Sequence, residues 1–404
     1  MKENILFQLK KKYPTLFYKL LYTAIIIMLY LFGRSVPLYG VDHSAVYSGS
    51  WNATTLLTST VSGDIYRCSV LALGISPYML AGILVQTVTG LKRSNGKAKL
   101  SQRKQNHMTL LATFFLALIM GYMRVEELTF LGEPFIYAKW VALLELICGA
   151  MIILWLSSRN KKYGIGGQSA LIFVNVLEGL IRTLFGARGS GLLVSLVVSM
   201  VVLLLMIYME NTEVRFALQR ISIHNIYSDK NYLAVKFNPI GVMPVMFASV
   251  GFMVPQAVLR LLCKAYPDTE VYPEILEKMT LTSPVGIVTY VVIFYLLGLI
   301  MAIIFLNPQD TAEQLLKGGD SMIGVPAGKK TKRFLLGQIV KQTLIGTTLM
   351  AVVIAGPMVA GLYTEVPDEL MLLPSSVMIL TGVVCRLFGE MEAVRDYDSY
   401  TSLF

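Results

Sequence analysis

Residue types that bind metals or act as nucleophiles are few and scattered in this sequence. The histidines, His43, His107 and His224, lie in different polar segments, and none has a second ligand at a spacing typical of a metal site. No cysteines form a C-x-x-C pair, and no phosphate-binding loop of the form G-x-x-x-x-G-K-[ST] occurs. We therefore expect no cofactor, and we expect four reduced cysteines that serve in packing: Cys68, Cys148, Cys263 and Cys385.

Charged side chains inside apolar segments would be the other carriers of chemistry. Glu145, Lys341 and Arg386 each lie near the end of such a segment, from which a long side chain can reach the membrane interface. A site for an ion or a sugar needs polar groups that face a cavity, and an intramembrane enzyme needs paired carboxylates, a Ser/Lys pair or facing histidines. The sequence predicts neither, so we expect no catalytic residue, and a secondary transporter stays a less favoured alternative.

The amino-acid composition indicates that this protein lies in a lipid membrane and not in water. Of its 404 residues, 55% are hydrophobic and 15% are charged, with a mean hydropathy of +0.63, whereas soluble domains carry about a quarter charged residues. Spanning helices need about 20 apolar residues each, and the runs lack the alternation of barrel strands. We predict an all-α polytopic membrane protein with ten transmembrane helices, at about 18–32, 69–91, 108–123, 139–156, 169–185, 192–209, 239–262, 284–306, 338–362 and 370–388.

The basic residues indicate the orientation. When the lysines and arginines are counted over alternate loops, one side of the membrane has far more of them than the other. In membrane proteins the side richer in basic residues is the cytoplasmic side. We therefore expect both termini in the cytoplasm, a first helix that is retained, and a net charge of +10 that reflects topology, with no direct contact to nucleic acid. Of the 35 basic residues, nine fall on the outer side: Arg34, Arg67, Arg124, Lys139, Arg182, Arg188, Arg260, Lys264 and Lys278.

An internal repeat joins the second span of each half of the chain. Residues 74–81 and 241–248 share Gly, Pro, Met and Ala at the same four places, and five spans separate them. Inverted repeats often place the working site on interrupted helices at matching positions. We predict two inverted five-helix halves, 1–188 and 189–404, with irregular backbone at the start of both helices. A pathway between the halves would be lined by apolar side chains.

Three polar segments are longer than simple connections. Residues 210–238 contain two β-rich stretches and predict a protruding hairpin, whereas 307–337 contain a short helix and then a basic tip. Such loops serve either as solvated surface or as a docking site for a soluble protein. The outer segment 35–67 is rich in Ser, Thr and Gly, and its last part could cover the outer end of a central pathway.

Long, ordered motifs resemble one known family, the SecY/Sec61 protein-conducting channels. LALGISPYMLAGILVQ at 71–86 resembles that family's second helix, and YLAVKFNPIGVMPVMFAS at 232–249 resembles its hairpin end and seventh helix. YGIGGQSALIF at 163–173 resembles the start of the fifth helix, and the stretch 307–335 resembles the loop between the eighth and ninth. The resemblance covers nearly the whole chain.

The resemblance implies an hourglass channel without catalytic residues, through which unfolded polypeptide crosses the membrane and from which apolar segments leave sideways into lipid. It also implies a SecA-type ATPase motor, SecE-like or accessory small membrane subunits, and four groups of site residues. These are a pore ring at Ile75, Met79, Leu171, Ile172, Val242, Met243, Met246, Met378 and Ile379; a lateral gate with helix bends at Gly74, Pro77, Gly241 and Pro244; a plug at Val61, Ser62, Gly63, Asp64, Ile65, Tyr66 and Arg67; and motor docking at Lys329, Lys330, Lys332 and Arg333.

Three departures from the family pattern indicate a subtype. Pro326 stands where the family has a basic residue, Asp64 stands where a small or apolar residue is usual, and the start of the fifth helix is shortened at 164–169. With the short chain, these features make the sequence similar to the accessory SecY of Gram-positive bacteria, which exports serine-rich glycoprotein adhesins with its own accessory SecA. The alternative is a housekeeping SecY channel.

Overall fold

The computed structural model describes residues 13–41, 68–94, 101–130, 135–186, 191–220, 232–266, 271–281, 283–326, 328–363 and 367–401. Helices dominate these residues, and three short strands lie between them. The helices are α1 (Pro14–Ser35), α2 (Ser76–Ser94), α3 (Gln102–Glu127), α4 (Phe135–Tyr163), α5 (Gln168–Gly186), α6 (Gly191–Asn211), α7 (Met243–Gly251), α8 (Met253–Ala265), α9 (Val271–Lys278), α10 (Pro284–Leu306), α11 (Pro308–Gly318), α12 (Lys329–Gly361), α13 (Asp368–Met371) and α14 (Leu373–Thr401). The strands are β1 (Glu213–Arg220), β2 (Tyr232–Lys236) and β3 (Asp320–Met322).

Every predicted apolar run contains helix, which confirms the prediction of an all-α polytopic membrane fold. Eight helical segments are long and apolar enough to cross a membrane by length and composition, and α2 and α14 occupy the two remaining runs. The seventh run is divided, because α7 ends at Gly251 and α8 begins at Met253. Pro255 explains this break, since proline has no N–H to donate to the carbonyl of residue 251 and is tolerated only in a first helical turn.

Helix α6 shows how the helices divide their surfaces between lipid and protein. Leu193, Val197 and Leu204 are exposed, and a helix surface with so many exposed apolar side chains is typical of contact with lipid and not with water. The inward face carries Ser195 and Ser199 one turn apart, and the Ser195 hydroxyl donates to the Leu370 carbonyl at 2.7 Å. Polar groups thus meet internal partners and apolar groups face hydrocarbon, as a bilayer requires.

The helices form two neighbourhoods, which we call the N-terminal helices (α1–α5) and the C-terminal helices (α6–α14). In the first, α3 contacts α2 and α4, and α1 contacts α4 and α5. In the second, α10 contacts α7 and α12, and α14 contacts α6. Two separate seams join the neighbourhoods: α2 meets α7 and α10, while α14 meets α1 and α5. That the chain works as two halves divided at residue 188 stays a prediction.

A three-stranded antiparallel sheet joins the two long loops. Strand β1 pairs with β2, from Glu213 opposite Lys236 to Ala217 opposite Tyr232, and its other edge pairs with β3. The paired strands of the predicted hairpin and the predicted short helix, which is α11, are both present, whereas the pairing with β3 was not predicted. Side chains of β1 alternate between the solvent and a small apolar core shared with α11 and α12, where Phe216 meets Phe334 edge to face at 5.8 Å. We call this unit the sheet head.

Candidate functional site

The two copies of the repeat have the same backbone geometry. Gly74 and Gly241 both adopt left-handed conformations, with φ of 58° and 65°, which favour glycine. Each glycine N–H donates to the carbonyl three residues before it, at 2.9 Å for Gly74 and 3.3 Å for Gly241. In both copies, the methionine five residues after the glycine then donates the first helical hydrogen bond. Residues 71–79 and 238–246 are therefore structural equivalents, as the sequence predicted.

The two prolines start their helices. Pro77 is the second residue of α2, and Pro244 is the second residue of α7. In the first turn a proline loses no helical hydrogen bond, and its fixed φ suits the helix. The predicted irregularity at the start of both helices is therefore confirmed, and it takes the form of a non-helical stretch that ends in a left-handed glycine.

The side chains predicted for the pore ring lie in or against one large apolar core, which also contains residues of α1, α4, α6, α10 and α12. Eight of the nine are buried in it, and Met243 is half-buried against it. Val242 sits on Gly382 of α14, where an added Cβ would lie 2.6 Å from the valine side chain. The buried members come from both neighbourhoods. We call residues 68–94 the α2 segment and residues 238–251 the α7 segment, because each includes the non-helical stretch before its helix. The members are Ile75 and Met79 of the α2 segment, Leu171 and Ile172 of α5, Val242 and Met246 of the α7 segment, and Met378 and Ile379 of α14.

Helix α2 approaches α10 very closely. A Cβ added to Gly90 would lie 2.8 Å from Cγ1 of Ile304 on α10. The absent side chain at position 90 therefore allows the helices to come together, and this contact is apolar. The seam formed by α2 with α7 and α10 is called the α2 seam below.

The plug residues, 61–67, lie outside the described part of the chain, and that prediction stays untested. Residues 68–70, which follow them, are joined by two backbone hydrogen bonds to residues 36–38, directly after α1. The Leu38 N–H donates to the Cys68 carbonyl at 2.9 Å, and the Val70 N–H donates to the Val36 carbonyl at 3.0 Å. These bonds hold the start of the α2 segment against the end of α1.

A buried ion pair links α1 to α5, and sequence reasoning missed it. Nη1 of Arg34 lies 2.6 Å from Oε2 of Glu178, and the Arg34 side chain is 6% exposed. We expected Arg34 in the outer connection, but it belongs to the last turn of α1. The Tyr30 hydroxyl donates to Oδ1 of Asn175 one turn before Glu178. A signal was present in the sequence, because Glu178 interrupts the apolar run at 169–185.

The other charges predicted near helix ends also have protein neighbours. Oε2 of Glu145 accepts the Tyr39 N–H at 3.0 Å, and Arg386 lies 3.8 Å from Glu390 on α14. Lys341 is exposed, as an interfacial lysine would be. All four cysteines are free thiols, as predicted, but Cys148 is exposed, so the predicted packing role was wrong for this residue.

The four basic residues predicted for docking lie at the start of a helix and not at a loop tip. The helix α12 begins at Lys329, nine residues before the predicted span. Lys329, Lys330 and Arg333 are exposed, whereas Nζ of Lys332 donates to Oε1 of Gln309 at 2.9 Å and so ties α12 to α11. Cations at a helix N-terminus oppose the helix dipole, so the three exposed charges do not serve helix stability.

A comparison with protein-family models decides the family. The model described as SecY matches residues 69–388, which includes both copies of the repeat and the sheet head. The chain belongs to the SecY family.

Curated SecY relatives match over nearly their whole length. The accessory Sec system protein translocase subunit SecY2 of Leuconostoc gelidum subsp. gasicomitatum is 25% identical, with 96% of each chain covered. The protein translocase subunit SecY of Staphylococcus aureus is 27% identical, with 95% of each chain covered. Among solved structures, one described as a protein conducting channel matches with a TM-score of 0.68 and 17% identity, over 94% of this chain and 93% of that one. This last likeness confirms the SecY fold.

Family and fold together establish the general function. This SecY protein is a multi-pass membrane protein and a channel subunit of a protein translocase, and it works with other parts of the translocation machinery. The predicted protein-conducting channel is thereby confirmed. The SecY family is a family of transport channels.

Proposed function

We propose that the chain is the channel subunit of an accessory Sec translocase in the cytoplasmic membrane of a bacterium, with both termini in the cytoplasm. Its cargo would be serine-rich glycoprotein adhesins, driven by an accessory SecA-type ATPase. Support comes from the relative named for an accessory system and from the departures at Pro326 and Asp64. The alternative, a housekeeping SecY, is favoured by the similar identity to the Staphylococcus aureus protein.

The convergence of the two repeat copies carries the proposal that polypeptide passes at their meeting point. Two left-handed glycines set the starts of α2 and α7, the two helices contact each other, and the residues that follow the glycines belong to one buried apolar core. An apolar constriction of this kind excludes water and ions while closed. Four of the nine predicted ring residues are methionines, whose flexible, polarizable side chains would fit translocating residues of different shapes. These are Met79, Met243, Met246 and Met378.

The α2 seam is the proposed lateral gate. The close contact between Gly90 of α2 and Ile304 of α10 is apolar and non-directional. These two helices can therefore separate at this point without breaking an ion pair. Apolar segments of a substrate would leave through this seam into lipid. The proposed plug, 61–67, would cover the outer side of the ring, directly before the fixed residues Cys68 to Val70 in the chain.

Interfacial side chains support the proposed orientation. At the end of α4, the Arg159 guanidinium lies 5.6 Å from the ring centroid of Trp155, and Nζ of Lys162 lies 4.9 Å from that of Tyr163. Aromatic rings and basic groups together are typical of a membrane interface, and basic excess marks its cytoplasmic side. This face would contact anionic lipid, and SecE-like or accessory small subunits would complete the translocase.

The sheet head is the proposed motor-docking surface. Lys329, Lys330 and Arg333 project from the start of α12, and Arg215 is exposed on the outer face of β1. Because one apolar core joins β1, β3 and α12, these charges belong to one folded unit. An acidic surface on a SecA-type motor would complement them.

Motor choice tests the proposed subtype. With the channel in lipid vesicles, we expect the accessory SecA to bind more tightly than the housekeeping SecA and to support import of a serine-rich glycoprotein substrate. Binding and import with the housekeeping motor alone would contradict the proposal and favour the alternative.

Reversing three charges tests the docking surface. Lys329→Glu, Lys330→Glu and Arg333→Glu together should weaken motor binding about 10- to 100-fold at low salt, because exposed pairs contribute about 0.2–1 kcal/mol each and reversal adds repulsion. Titration of labelled motor against vesicles measures the dissociation constant.

A control with the same change in net charge lies on α4. Arg159→Glu, Lys161→Glu and Lys162→Glu also alter exposed residues, and they should change motor affinity by less than about threefold. Equal losses for both triple variants would show that overall charge, and not the sheet head, attracts the motor.

A further inference from the structure

The N-terminal turn of α1 is capped by a residue at the far end of the chain. Helix α1 has Tyr13 at its N-cap, and that side chain makes no capping hydrogen bond. The Leu16 N–H in the first turn instead donates to Oδ2 of Asp398 on α14, at 3.0 Å. First-turn N–H groups have no partner within their own helix, and a carboxylate suits the positive end of the helix dipole. Asp398 is 4% exposed, so water competes little for this bond.

A second carboxylate of α14 holds the turn between α4 and α5. The Gly166 N–H donates to Oε2 of Glu390 at 2.7 Å. Gly166 has a φ of 78°, and a Cβ there would lie 2.1 Å from Cδ2 of Leu387, so glycine alone brings this backbone against α14. Both bonds join a charged acceptor to a backbone N–H, and such bonds are about twice as strong as neutral ones.

The turn that receives Glu390 is itself rigid. Nδ2 of Asn160 donates to the carbonyls of Ile165 and Gly167, both at 2.9 Å, and its Oδ1 accepts the Thr23 hydroxyl at 3.0 Å. The Thr23 hydroxyl oxygen in turn accepts the Ile165 N–H at 2.8 Å. Helix α1 and the turn therefore form one unit, and α14 is bonded to that unit at two points about 12 Å apart along its axis.

The two seams between the neighbourhoods are consequently fastened in different ways. At the α14 seam, two directional, charge-assisted bonds fix the register of the helices. At the α2 seam, the close contact of Gly90 with Ile304 is apolar and involves no hydrogen bond. Opening the α2 seam at this described contact would therefore break no charge-assisted bond, whereas opening the α14 seam would break two.

We propose that Glu390 and Asp398 are positioning residues that keep α14 with the N-terminal helices while the α2 seam opens. The closed and open channels then share one fixed seam, and the remaining C-terminal helices swing about α14. This inference rests on the proposed lateral gate at the α2 seam.

Two distances in one protein test the inference. In a chain whose four cysteines are replaced by serine, spin labels are placed at Tyr18 and Tyr397 to report the α14 seam, or at Val88 and Phe305 to report the α2 seam; all four side chains are exposed. Pulsed spin-echo distances are measured in lipid nanodiscs, with and without an arrested export substrate. We expect the Val88–Phe305 distance to increase and the Tyr18–Tyr397 distance to stay unchanged.

The possible failures are distinguishable. An increase at Tyr18–Tyr397 as large as that at Val88–Phe305 would overturn the inference while the lateral gate stands. No change at either pair would remove the gate proposal and this inference with it. Because these measurements use the native carboxylates, they do not depend on whether a variant folds.

Matched variants then test the two carboxylates. Glu390→Ala with Asp398→Ala should broaden the Tyr18–Tyr397 distance distribution and raise the ion leak of substrate-free vesicles at least threefold. The control is Glu392→Ala with Asp396→Ala on the same helix, where both side chains are more than half exposed. A leak and a distribution that match the control would contradict a positioning role.

Discussion

Replacing Glu178 with glutamine is expected to destabilise the channel by about 3 kcal/mol, because breaking a buried ion pair leaves a charge without its partner. Arg34 is 6% exposed and would keep its charge in a site that water barely reaches. Glu178 is 30% exposed, so we place the loss at the lower end of the usual range. A lower midpoint of thermal unfolding in detergent micelles measures the effect.

Two controls separate the ion pair from a general loss of charge. Arg34→Leu with Glu178→Leu removes both charges and should recover most of the stability, since apolar replacements of buried pairs are often neutral. Glu392→Gln breaks an exposed pair with Arg395 and should change stability by less than about 1 kcal/mol. A double leucine variant as unstable as Glu178→Gln would show that the pair is not the cause.

Replacing Gly149 with alanine is expected to displace the start of the α2 segment. A Cβ at Gly149 on α4 would lie 1.9 Å from the backbone oxygen of Val70, and a backbone atom cannot turn aside as a side chain can. Overpacking of this kind typically costs about 1–3 kcal/mol. Because Val70 precedes Ile75 by one short turn, we also expect a measurable ion leak through the closed channel in vesicles.

Gly82 is the matched control for Gly149. It lies inside α2, and apart from its chain neighbours and the adjacent backbone of α2, no described atom lies within 4 Å of the position where its Cβ would be. Gly82→Ala should therefore be neutral or stabilise the helix by up to about 1 kcal/mol, the ordinary gain of alanine over glycine. A Gly149→Ala variant as stable and as tight as Gly82→Ala would contradict the close packing of α4 on the α2 segment.

Features that depend on neighbouring residues were predictable from the sequence. In each repeat copy, the glycine specifies a left-handed residue and the proline three positions later specifies a helix start. The matching residues at 74–81 and 241–248 therefore predicted the same local backbone geometry. Apolar runs of about 20 residues likewise predict spanning helices without knowledge of their neighbours. Five of the nine residues predicted for the pore ring lie within five positions after those glycines, and their role as a ring stays a prediction.

Features that join distant residues were not predictable in the same way. Asp398 caps Leu16 across nearly the whole chain, and Glu178 of α5 meets Arg34 of α1 although three helices lie between them in the sequence. No periodicity encodes such pairs: Glu178 interrupts an apolar run, but the sequence does not show which distant residue it meets. The pairing of β3 with β1 has the same origin, because three residues give too short a pattern to reveal a strand.

Photo-crosslinking at the ring tests most directly whether polypeptide passes between the two repeat copies. A crosslinker replaces Met79 in one variant and Met246 in another, and an export substrate is arrested in transit. The control position is Leu204, which is 60% exposed on the lipid-facing side of α6. We predict substrate adducts from both ring positions and none from Leu204. Adducts with a small solute and none with the substrate, or adducts from Leu204 as frequent as those from the ring, would contradict the account.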